Sequence, residues 1–499
     1  MPAPSSPVEI VVVAQNSEAP IGHADLTASR SAETRIIELA SPGATVTRSF
    51  GPANRLGDRV RGTSLESSGS ALLNYFSITG FEGNADEIAA ALAADDAVAS
   101  AFVKPPAEPP IAPPVEGAVA ERAPGTGDAP PSTPDFTGSQ GYLDAAPNGV
   151  DARWAWTRPG GRGAGIQIVD VEGAWRFTHE DLLQNQGGVI SGPESADIGW
   201  RNHGTAVIGE FSGDDNGLGI TGIAPDANVR AVSIFGSGGS AAAIRTAADA
   251  LGAGDVILIE LHRPGPRFNF AGRSDQLGYI AVEWWPDDFA AIQYAIGRGV
   301  IVVEAGGNGA ENLDDGLYDT PAAGFPGSWA NPFRGGTADS GAIIVGAGAP
   351  PSGNFGSPRS RLDFSNYGSR IDAQGWGREV VTTGYGDLQG GPNEDLWYTQ
   401  QFSGTSSASP IVVGAVAAYQ GINAAGSGRK TPSDVRNRLR TTGSGQTDGP
   451  NGPASQRIGS LPDLRALAGV IKVKDIKDAK AEKLEKVEIK EGKELKQEK

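Results

Sequence analysis

The spacing of apolar residues changes character once along the chain, at a proline-rich stretch. Before it, "PVEIVVVAQ", "LLNYFSITGF" and "ASAFVKP" are typical of strands, and "NADEIAAALAADDAV" has helical spacing with Asn84 as its N-cap. A few strands beside one clear helix predict a small α+β domain over residues 1–103.

After this stretch, short apolar runs alternate with helical segments. The predicted strands are "GIQIVDV", "NVRAVSIFG", "DVILIEL", "GVIVVEAGG" and "GAIIVGAGA", and the predicted helices are "AAAIRTAADAL" and "DDFAAIQYAIGRG". Strands that are apolar on both faces and joined by helices predict a mostly parallel sheet with helices on both faces. We therefore expect an α/β domain over residues 136–470, with its chemistry at the carboxyl ends of the strands.

Two segments do not fit either domain. The prolines of residues 104–135 predict an extended, exposed linker, because proline cannot donate to regular backbone hydrogen bonding. Of the 12 lysines in the chain, 10 lie after position 471, where they are mixed with 8 acidic residues. Residues 471–499 are therefore predicted to be a charged tail, either a solvated helix or disordered.

Composition narrows the classes of function. A net charge of −18 argues against a nucleic-acid partner, since phosphate binding needs a basic surface. No run of 18 apolar residues predicts a membrane span, and the absence of cysteine excludes disulfides and cysteine nucleophiles. The first residues lack a basic region followed by a long apolar run, so no secretory signal is predicted; secretion by another route and a cytoplasmic location both stay open.

Polar residues that could carry chemistry stand at the ends of the predicted strands. Asp170 ends the first strand, His203 begins a helix in "NHGTAVIGEFSG", Asn308 follows "VVEAGG", and Ser406 lies in "SGTSSASP". Taken singly, each has a structural explanation as a loop-start or helix-capping residue. Taken together, they are an acid, a base, an amide donor and a hydroxyl, the groups needed to activate a serine nucleophile and stabilise an oxyanion.

These motifs and their Asp, His, Ser order resemble the subtilisin family of serine peptidases, the subtilases. The resemblance runs from about residue 138 to 445 and includes "THEDL", "GITGIAPDANVRAVSIF", "IIVGAGA" and "FSNYGSRIDAQGWG". It implies a serine endopeptidase that acts on protein or peptide substrates without a catalytic cofactor. In that case Asp170 orients His203, His203 is the general base, Ser406 attacks, and Asn308 stabilises the oxyanion.

One departure weakens the acid motif. The family usually has Thr or Ser and then Gly after its Asp, whereas this chain has Val171 and Glu172. The resemblance further implies that substrate pairs with "IELH" and that "EAGG" walls the primary pocket. Acids in both segments, Glu260 and Glu304, suggest a tolerance for basic side chains unless they face away. The predicted substrate-binding residues are Glu260, Leu261, His262, Ala305, Gly306 and Gly307.

The resemblance also bears on metal binding and regulation. Asp181 in "HEDL" matches a family position that often binds structural Ca²⁺, with "GDDNGLG" nearby, but isolated acidic loops often bind nothing. The first domain resembles a subtilase propeptide, which implies a monomeric zymogen inhibited by its own N-terminal domain. Two alternatives stay open: a dedicated peptide-processing or macrocyclising subtilase, and a pseudoprotease that binds peptides without cleaving them.

Overall fold

The computed structural model of the chain describes residues 6–15, 32–40, 42–61, 69–111 and 132–470. The predicted charged tail at 471–499 lies outside the described residues, as does most of the predicted linker. No helix among the described residues is both long and apolar enough to cross a membrane.

The N-terminal unit is a four-stranded antiparallel sheet with strand order β2-β3-β1-β4. Its elements are β1 (Glu9–Ala14), α1 (32–39), β2 (Thr45–Arg48), α2 (Ala53–Val60), α3 (Gly69–Leu72), β3 (Tyr75–Thr79), α4 (Ala85–Ala93) and β4 (Val98–Lys104). Alternate residues of β1 and β3, such as Val12 and Phe76, pack with Leu92 of α4 in one apolar core. The Asn84 side chain accepts hydrogen bonds from two backbone N–H groups of the first turn of α4, so the predicted α+β character and this N-cap are confirmed.

The larger unit is built on seven parallel strands in the order β13-β12-β11-β8-β5-β7-β6. The strands are β5 (Gln167–Glu172), β6 (Gln186–Ser191), β7 (Asn228–Ser233), β8 (Val256–Ile259), β11 (Ile301–Ala305), β12 (Ile343–Gly348) and β13 (Ala373–Trp376). The helices are α5 (Ala152–Ala155), α6 (Ile198–Ser212), α7 (Gly239–Asp249), α8 (Pro286–Gly297), α9 (Thr405–Ala424), α10 (Pro432–Thr441) and α11 (Leu464–Leu467). The predicted α/β fold is confirmed.

Side chains alternate between two helical layers along each strand. Ile168 and Leu258 belong to the apolar core that contains α6 and α9, whereas Val169 and Ile257 belong to the core that contains α7 and α8. Residues of the same parity on one strand therefore face the same helical layer. This alternation decides which polar residues at the strand ends can meet α6 and α9.

Two antiparallel hairpins stand beside the main sheet and were not predicted. The first pairs β9 (His262–Pro264) with β10 (Tyr279–Ala281), and the second pairs β14 (Val380–Thr383) with β15 (Tyr398–Phe402). The three-residue strands of the first hairpin are too short to give a recognisable period. In the main sheet, β6 was also not predicted, because it is rich in glycine and polar residues.

The N-terminal unit is docked on α7 and α8 through apolar and ionic contacts. Phe50 and Leu56 belong to the same apolar core as these helices. The Lys104 ammonium, fully buried, lies 2.5 Å from Asp287 Oδ2 and 3.0 Å from Asp288 Oδ1 in the first turn of α8. Acidic side chains are favourable at a helix N-terminus, and here they also neutralise a buried cation.

The chain after β4 departs from the predicted exposed linker. Lys104 belongs to β4, and residues 105–111 lie against the larger unit, with Ala107 completely buried. Prolines exclude a regular strand but do not prevent an extended segment from lying in a cleft. Only residues 132–135 of the remaining predicted linker are described.

Replacing Lys104 by Met should reduce the free energy of unfolding by about 3–5 kcal/mol, because it leaves the buried Asp287 carboxylate without its cation. Urea denaturation of the full chain would measure this loss. Lys430→Met is the matched control, since Lys430 Nζ contacts only the exposed Ser427 hydroxyl at 3.0 Å. Equal effects of the two substitutions would contradict the importance of the buried cluster.

Candidate functional site

His203 lies in the second turn of α6, whose N-cap Asp197 accepts a hydrogen bond from Gly199 N. The next residue, Gly204, lets this helix pack closely on the chain after β5. A Cβ at Gly204 would lie only 2.3 Å from the carbonyl oxygen of Ala174, so any side chain there would push the helix away. The His-Gly pair therefore brings the imidazole to the carboxyl end of β5.

The acid that contacts His203 is Glu172. The distance from His203 Nδ1 to Glu172 Oε1 is 2.7 Å, and both side chains are fully buried. Asp170 instead accepts a hydrogen bond from Trp175 Nε1 at 2.7 Å. We therefore correct the prediction that Asp170 orients His203.

Strand geometry explains this difference. Asp170 and Glu172 have the same parity on β5 and share the α6-facing side, but Glu172 is the last strand residue and lies two positions closer to the edge. Glutamate is one methylene longer than aspartate, which suits a residue that must reach the imidazole from the strand end. The sequence shows this second acid, Glu172, two residues after the expected Asp170, but by motif alone it indicates only a departure from the family pattern.

Ser406 lies in the first turn of α9, directly after a sharp turn. Gly404 has φ of 112° and ψ of −177°, a conformation essentially restricted to glycine, which lets the chain turn into the helix. Among the described residues, neither Ser406 Oγ nor His203 Nε2 has a hydrogen-bond partner, although both atoms are buried. The Ser407 hydroxyl, in contrast, donates to the carbonyl of Trp376 at 2.9 Å and so has a structural role.

Asn308 is held beside this turn. Its Oδ1 accepts hydrogen bonds from the backbone N–H of Thr405 at 2.9 Å and from the Thr405 hydroxyl at 3.0 Å. Its Nδ2 donates to Gln276 Oε1 at 3.2 Å, and its backbone N–H donates to His262 Nδ1 at 3.3 Å. The amide is thereby oriented with its oxygen toward the start of α9 and its nitrogen toward the first hairpin.

Glu260 adds a further buried carboxyl to this edge of the sheet. Ser409 donates a hydrogen bond to Glu260 Oε1, and the Ser406 hydroxyl is close enough to lower the pKa of Glu260. Burial nevertheless raises the pKa of Glu260 well above its ordinary value, and the neighbouring Asp170 and Glu172 raise it further. Burial thus disfavours the charged form of the Glu260 carboxyl group.

Burial acts in opposite directions on the two partners of the central hydrogen bond. It lowers the pKa of His203 to about 3 and raises the pKa of Glu172 well above its usual range. Both shifts disfavour charge in the covered site.

The predicted substrate edge is occupied by the chain's own residues. Glu108 and His262 exchange two backbone hydrogen bonds, each of 3.1 Å, as antiparallel partners. Leu261 lies in the same apolar core as Ala107. The predicted pocket residues Ala305, Gly306 and Gly307 end β11, and Gly307 N donates to the Thr405 hydroxyl at 3.2 Å.

The acids that suggested a tolerance for basic side chains have other partners. Glu260 contacts serines of α9, and Glu304 Oε1 accepts a hydrogen bond from the backbone N–H of Glu283 at 3.0 Å. Neither is a hydrogen-bond partner of the segment at 105–111. The side chains that do bond to this segment include Tyr279 and Gln276 from the first hairpin, which the sequence analysis did not identify.

Asp181 does not present a ready cation site. Its Oδ1 accepts a hydrogen bond from Asn216 Nδ2 at 2.9 Å, and its Oδ2 accepts one from Ile220 N at 2.6 Å. Burial raises the pKa of Asp181 to about 7. Among the described residues, no three His, Cys, Asp or Glu side chains form a group that could hold a metal ion. The donors around Asp181 therefore do not fit a calcium ion in this arrangement.

Much of this site lies within a part of the chain that matches a known protein family. The model of the subtilase family matches residues 184–460, more than half of the chain. His203, Asn308 and Ser406 lie inside the matched range, whereas Asp170 and Glu172 lie before it. The acid strand is thus the part of the site that the family match does not include.

Individual relatives are alkaline or thermophilic proteases of bacilli. The chain is 27% identical over 290 residues to an alkaline protease of Alkalihalobacillus alcalophilus, which covers 56% of this chain and 59% of the relative. It is equally identical to subtilisin Savinase of Lederbergia lenta, of which 84% is covered. A thermophilic serine proteinase of Bacillus sp. (strain AK1) is 28% identical over 301 residues, with 58% of this chain and 61% of the relative covered.

The contact between His203 and Glu172 should give a low-field imidazole proton resonance, because a proton shared with a buried carboxyl group is deshielded and protected from exchange. The chain has only four histidines, so ¹⁵N-histidine labelling makes this resonance assignable. We expect Glu172→Gln to remove it and Asp170→Asn, the matched control, to keep it. Loss of the resonance in Asp170→Asn and its retention in Glu172→Gln would instead identify Asp170 as the acid that contacts His203.

Proposed function

Because the chain belongs to the subtilase family, we propose that it is a serine endopeptidase in which Ser406, His203 and Glu172 form the catalytic triad. The observation that carries this proposal is the buried hydrogen bond between His203 Nδ1 and Glu172 Oε1. A carboxyl group in this position holds the imidazole in one orientation and stabilises the imidazolium that forms during the reaction. Aspartate is the usual acid in such triads, and here a glutamate takes its place.

The proposed reaction begins when Ser406 Oγ attacks the carbonyl carbon of the substrate. His203 Nε2 takes the hydroxyl proton and later delivers it to the leaving amine, which gives an acyl-enzyme. Water then attacks the acyl-enzyme with His203 again as base. Within the described part of the chain, Ser406 Oγ and His203 Nε2 are buried without a hydrogen-bond partner, which leaves both atoms available for these roles.

Asn308 is the proposed oxyanion donor. Its Oδ1 is held by Thr405, which fixes the amide group beside the turn that precedes Ser406. One N–H of this group donates to Gln276, and the second is proposed to stabilise the developing negative charge. A donor of this kind contributes about 3–4 kcal/mol to transition-state stabilisation.

The N-terminal unit is the proposed inhibitor of the same site. Residues 105–111 lie along the edge where an extended substrate would pair, and the buried Lys104 cluster anchors them to α8. Removal of this segment would leave the strand edge at His262 free to pair with a substrate. We therefore propose a zymogen that matures by cleavage within residues 104–135.

A fluorophosphonate probe and casein test the proposed activity. Labelling of Ser406 together with casein cleavage would support a general endopeptidase. Labelling without casein cleavage would favour the dedicated peptide-processing enzyme instead. A chain that neither takes the probe nor cleaves casein, even after the N-terminal unit has been removed by limited proteolysis, would contradict the enzyme and favour the peptide-binding alternative.

Ser406→Ala should abolish hydrolysis and leave the chain at full length, because loss of such a nucleophile costs about a millionfold in kcat. Ser407→Ala is the matched control, since its hydroxyl bonds only to backbone carbonyls of Trp376 and Gly404. We expect this control to keep most of the activity and to undergo maturation, as followed by mass spectrometry. If Ser407→Ala were inactive and Ser406→Ala active, the nucleophile would be Ser407 and not Ser406.

Glu172→Gln should lower kcat by about 10⁴-fold, because an amide holds the imidazole in the wrong tautomer. Asp170→Asn should have a much smaller effect, since Asp170 contacts Trp175 and not His203. Steady-state kinetics of the two variants, with circular dichroism to verify folding, separate the two carboxyl groups. A severe loss in Asp170→Asn with an active Glu172→Gln would overturn the proposed triad.

A further inference from the structure

Hydrogen bonds hold residues 104–109 at several points along the segment. The carbonyl of Pro105 accepts a hydrogen bond from the buried Arg263 guanidinium, and Ala107 exchanges backbone and side-chain bonds with Ser6. Glu108 pairs with His262 through its backbone, as a peptide strand adds to the edge of a sheet. Such pairing fixes the register of the segment, so each of its side chains meets a defined neighbour.

The neighbour of the Glu108 side chain is Tyr279, on the second strand of the first hairpin. Tyr279 Oη donates a hydrogen bond to Glu108 Oε1 at 3.1 Å. The same hydroxyl accepts a hydrogen bond from the backbone N–H of Arg273 at 2.9 Å, so its proton is directed to the glutamate. The Tyr279 ring packs on the His262 ring, with 4.7 Å between their centroids, which fixes its position.

The next residue of the segment meets the tip of the same hairpin. Gln276 Nε2 donates to the carbonyl of Pro109 at 3.1 Å, while Gln276 Oε1 accepts from Asn308 Nδ2. Gln276 has a φ of 56°, a left-handed conformation that is costly for a residue with a side chain. The strained Gln276 thus connects the bound proline to the proposed oxyanion donor.

These contacts define a subsite with a clear chemical preference. The Tyr279 hydroxyl is a donor, so it needs an acceptor on the peptide side chain that takes the place of Glu108. The next peptide residue, in the place of Pro109, is bound through its carbonyl oxygen. Proline suits that following position because it has no N–H that would lose its partner. A lysine in place of Glu108 would offer the donor no acceptor, and an alanine would leave the buried hydroxyl proton unpaired.

We propose that the β9–β10 hairpin is a specificity element that selects peptides with a glutamate directly before a proline, through Tyr279 and Gln276. This inference rests on the proposed peptidase function and names the class of substrate that the site takes. The chain's own Ala107-Glu108-Pro109 sequence then acts as an inhibitor because it presents the preferred residues to the cleft.

The first test is independent of catalysis and uses the full chain with Ser406→Ala. Residues 105–111 contain only three backbone N–H groups, those of Ala107, Glu108 and Ile111, because the other four residues are prolines. Their hydrogen exchange, measured by mass spectrometry, should accelerate about tenfold in Tyr279→Phe and in Glu108→Ala. The double variant should exchange no faster than either single variant, because both remove the same contact.

Tyr294→Phe is the matched control for this measurement. Its hydroxyl also donates to an acid, Asp249, at 2.6 Å, but it has no hydrogen bond to the segment. Unchanged exchange in this control and faster exchange in Tyr279→Phe would support the subsite. Equal exchange in the Ser406→Ala chain with and without Tyr279→Phe would overturn it.

The second test measures selectivity for peptides supplied in trans. Two peptides with the sequence PPAEPPIAP and its Glu-to-Ala counterpart differ only at the residue that would meet Tyr279. We expect wild-type kcat/KM to be about tenfold higher for the glutamate peptide, and Tyr279→Phe to remove this preference. Equal kcat/KM for the two peptides in an active enzyme would overturn the specificity while leaving the peptidase proposal intact.

If the enzyme proves inactive, peptide binding tests the proposed subsite in place of peptide cleavage. The dissociation constants of the same two peptides are then measured by fluorescence anisotropy with the Ser406→Ala chain that also carries Glu108→Ala, which weakens its own segment. About tenfold tighter binding of the glutamate peptide would support the subsite, and equal binding would overturn it. Failure of probe labelling at Ser406 would count only against the peptidase function.

Discussion

The parallel pairing of β5 with β7 and β8 is the constraint on which the candidate site depends. Parallel strands end at one common edge, and their side chains alternate between the two faces of the sheet. Glu172 at the end of β5 and Glu260 just after β8 therefore meet on the face that carries α6 and α9. His203 and Ser406 come from these two helices, so four residues far apart in sequence share one buried volume.

Burial then determines the electrostatic state of this edge. Three carboxyl groups, Asp170, Glu172 and Glu260, are completely shielded from water, and burial raises the pKa of each. The same burial lowers the pKa of His203, which disfavours the imidazolium that peptide hydrolysis requires. In the proposed mechanism this burial opposes charge separation between His203 and Glu172, and the proposed inhibition rests on the pairing of Glu108 with the strand edge at His262.

The hairpin and the N-terminal unit show how loops add function to a regular scaffold. The sheet and the helices α6 and α9 position the reacting groups, while β9 and β10 contact the segment that lies across them. The hairpin is anchored at the site itself, because the carbonyl of Tyr279 accepts a hydrogen bond from Asn366 Nδ2 and Gly278 N donates to the carbonyl of Gly309. Specificity can thus change with the hairpin sequence while the reacting groups keep their geometry.

The sequence by itself determined the larger features of this protein. Apolar runs identified five of the seven sheet strands, and helical periodicity identified α7 and α8 on one face of the sheet, because burial of apolar surface leaves a regular pattern in the chain. Local motifs indicated His203, Asn308 and Ser406 as candidates, since a glycine beside a polar residue reflects a close approach or a special backbone conformation. Only the tertiary structure decided which acid serves His203, because Asp170 and Glu172 share a face and differ only in depth along β5. It also decided that residues 105–111 lie buried in the cleft beside Tyr279, because contacts between distant segments depend on how the domains pack and leave no periodic signal in the sequence.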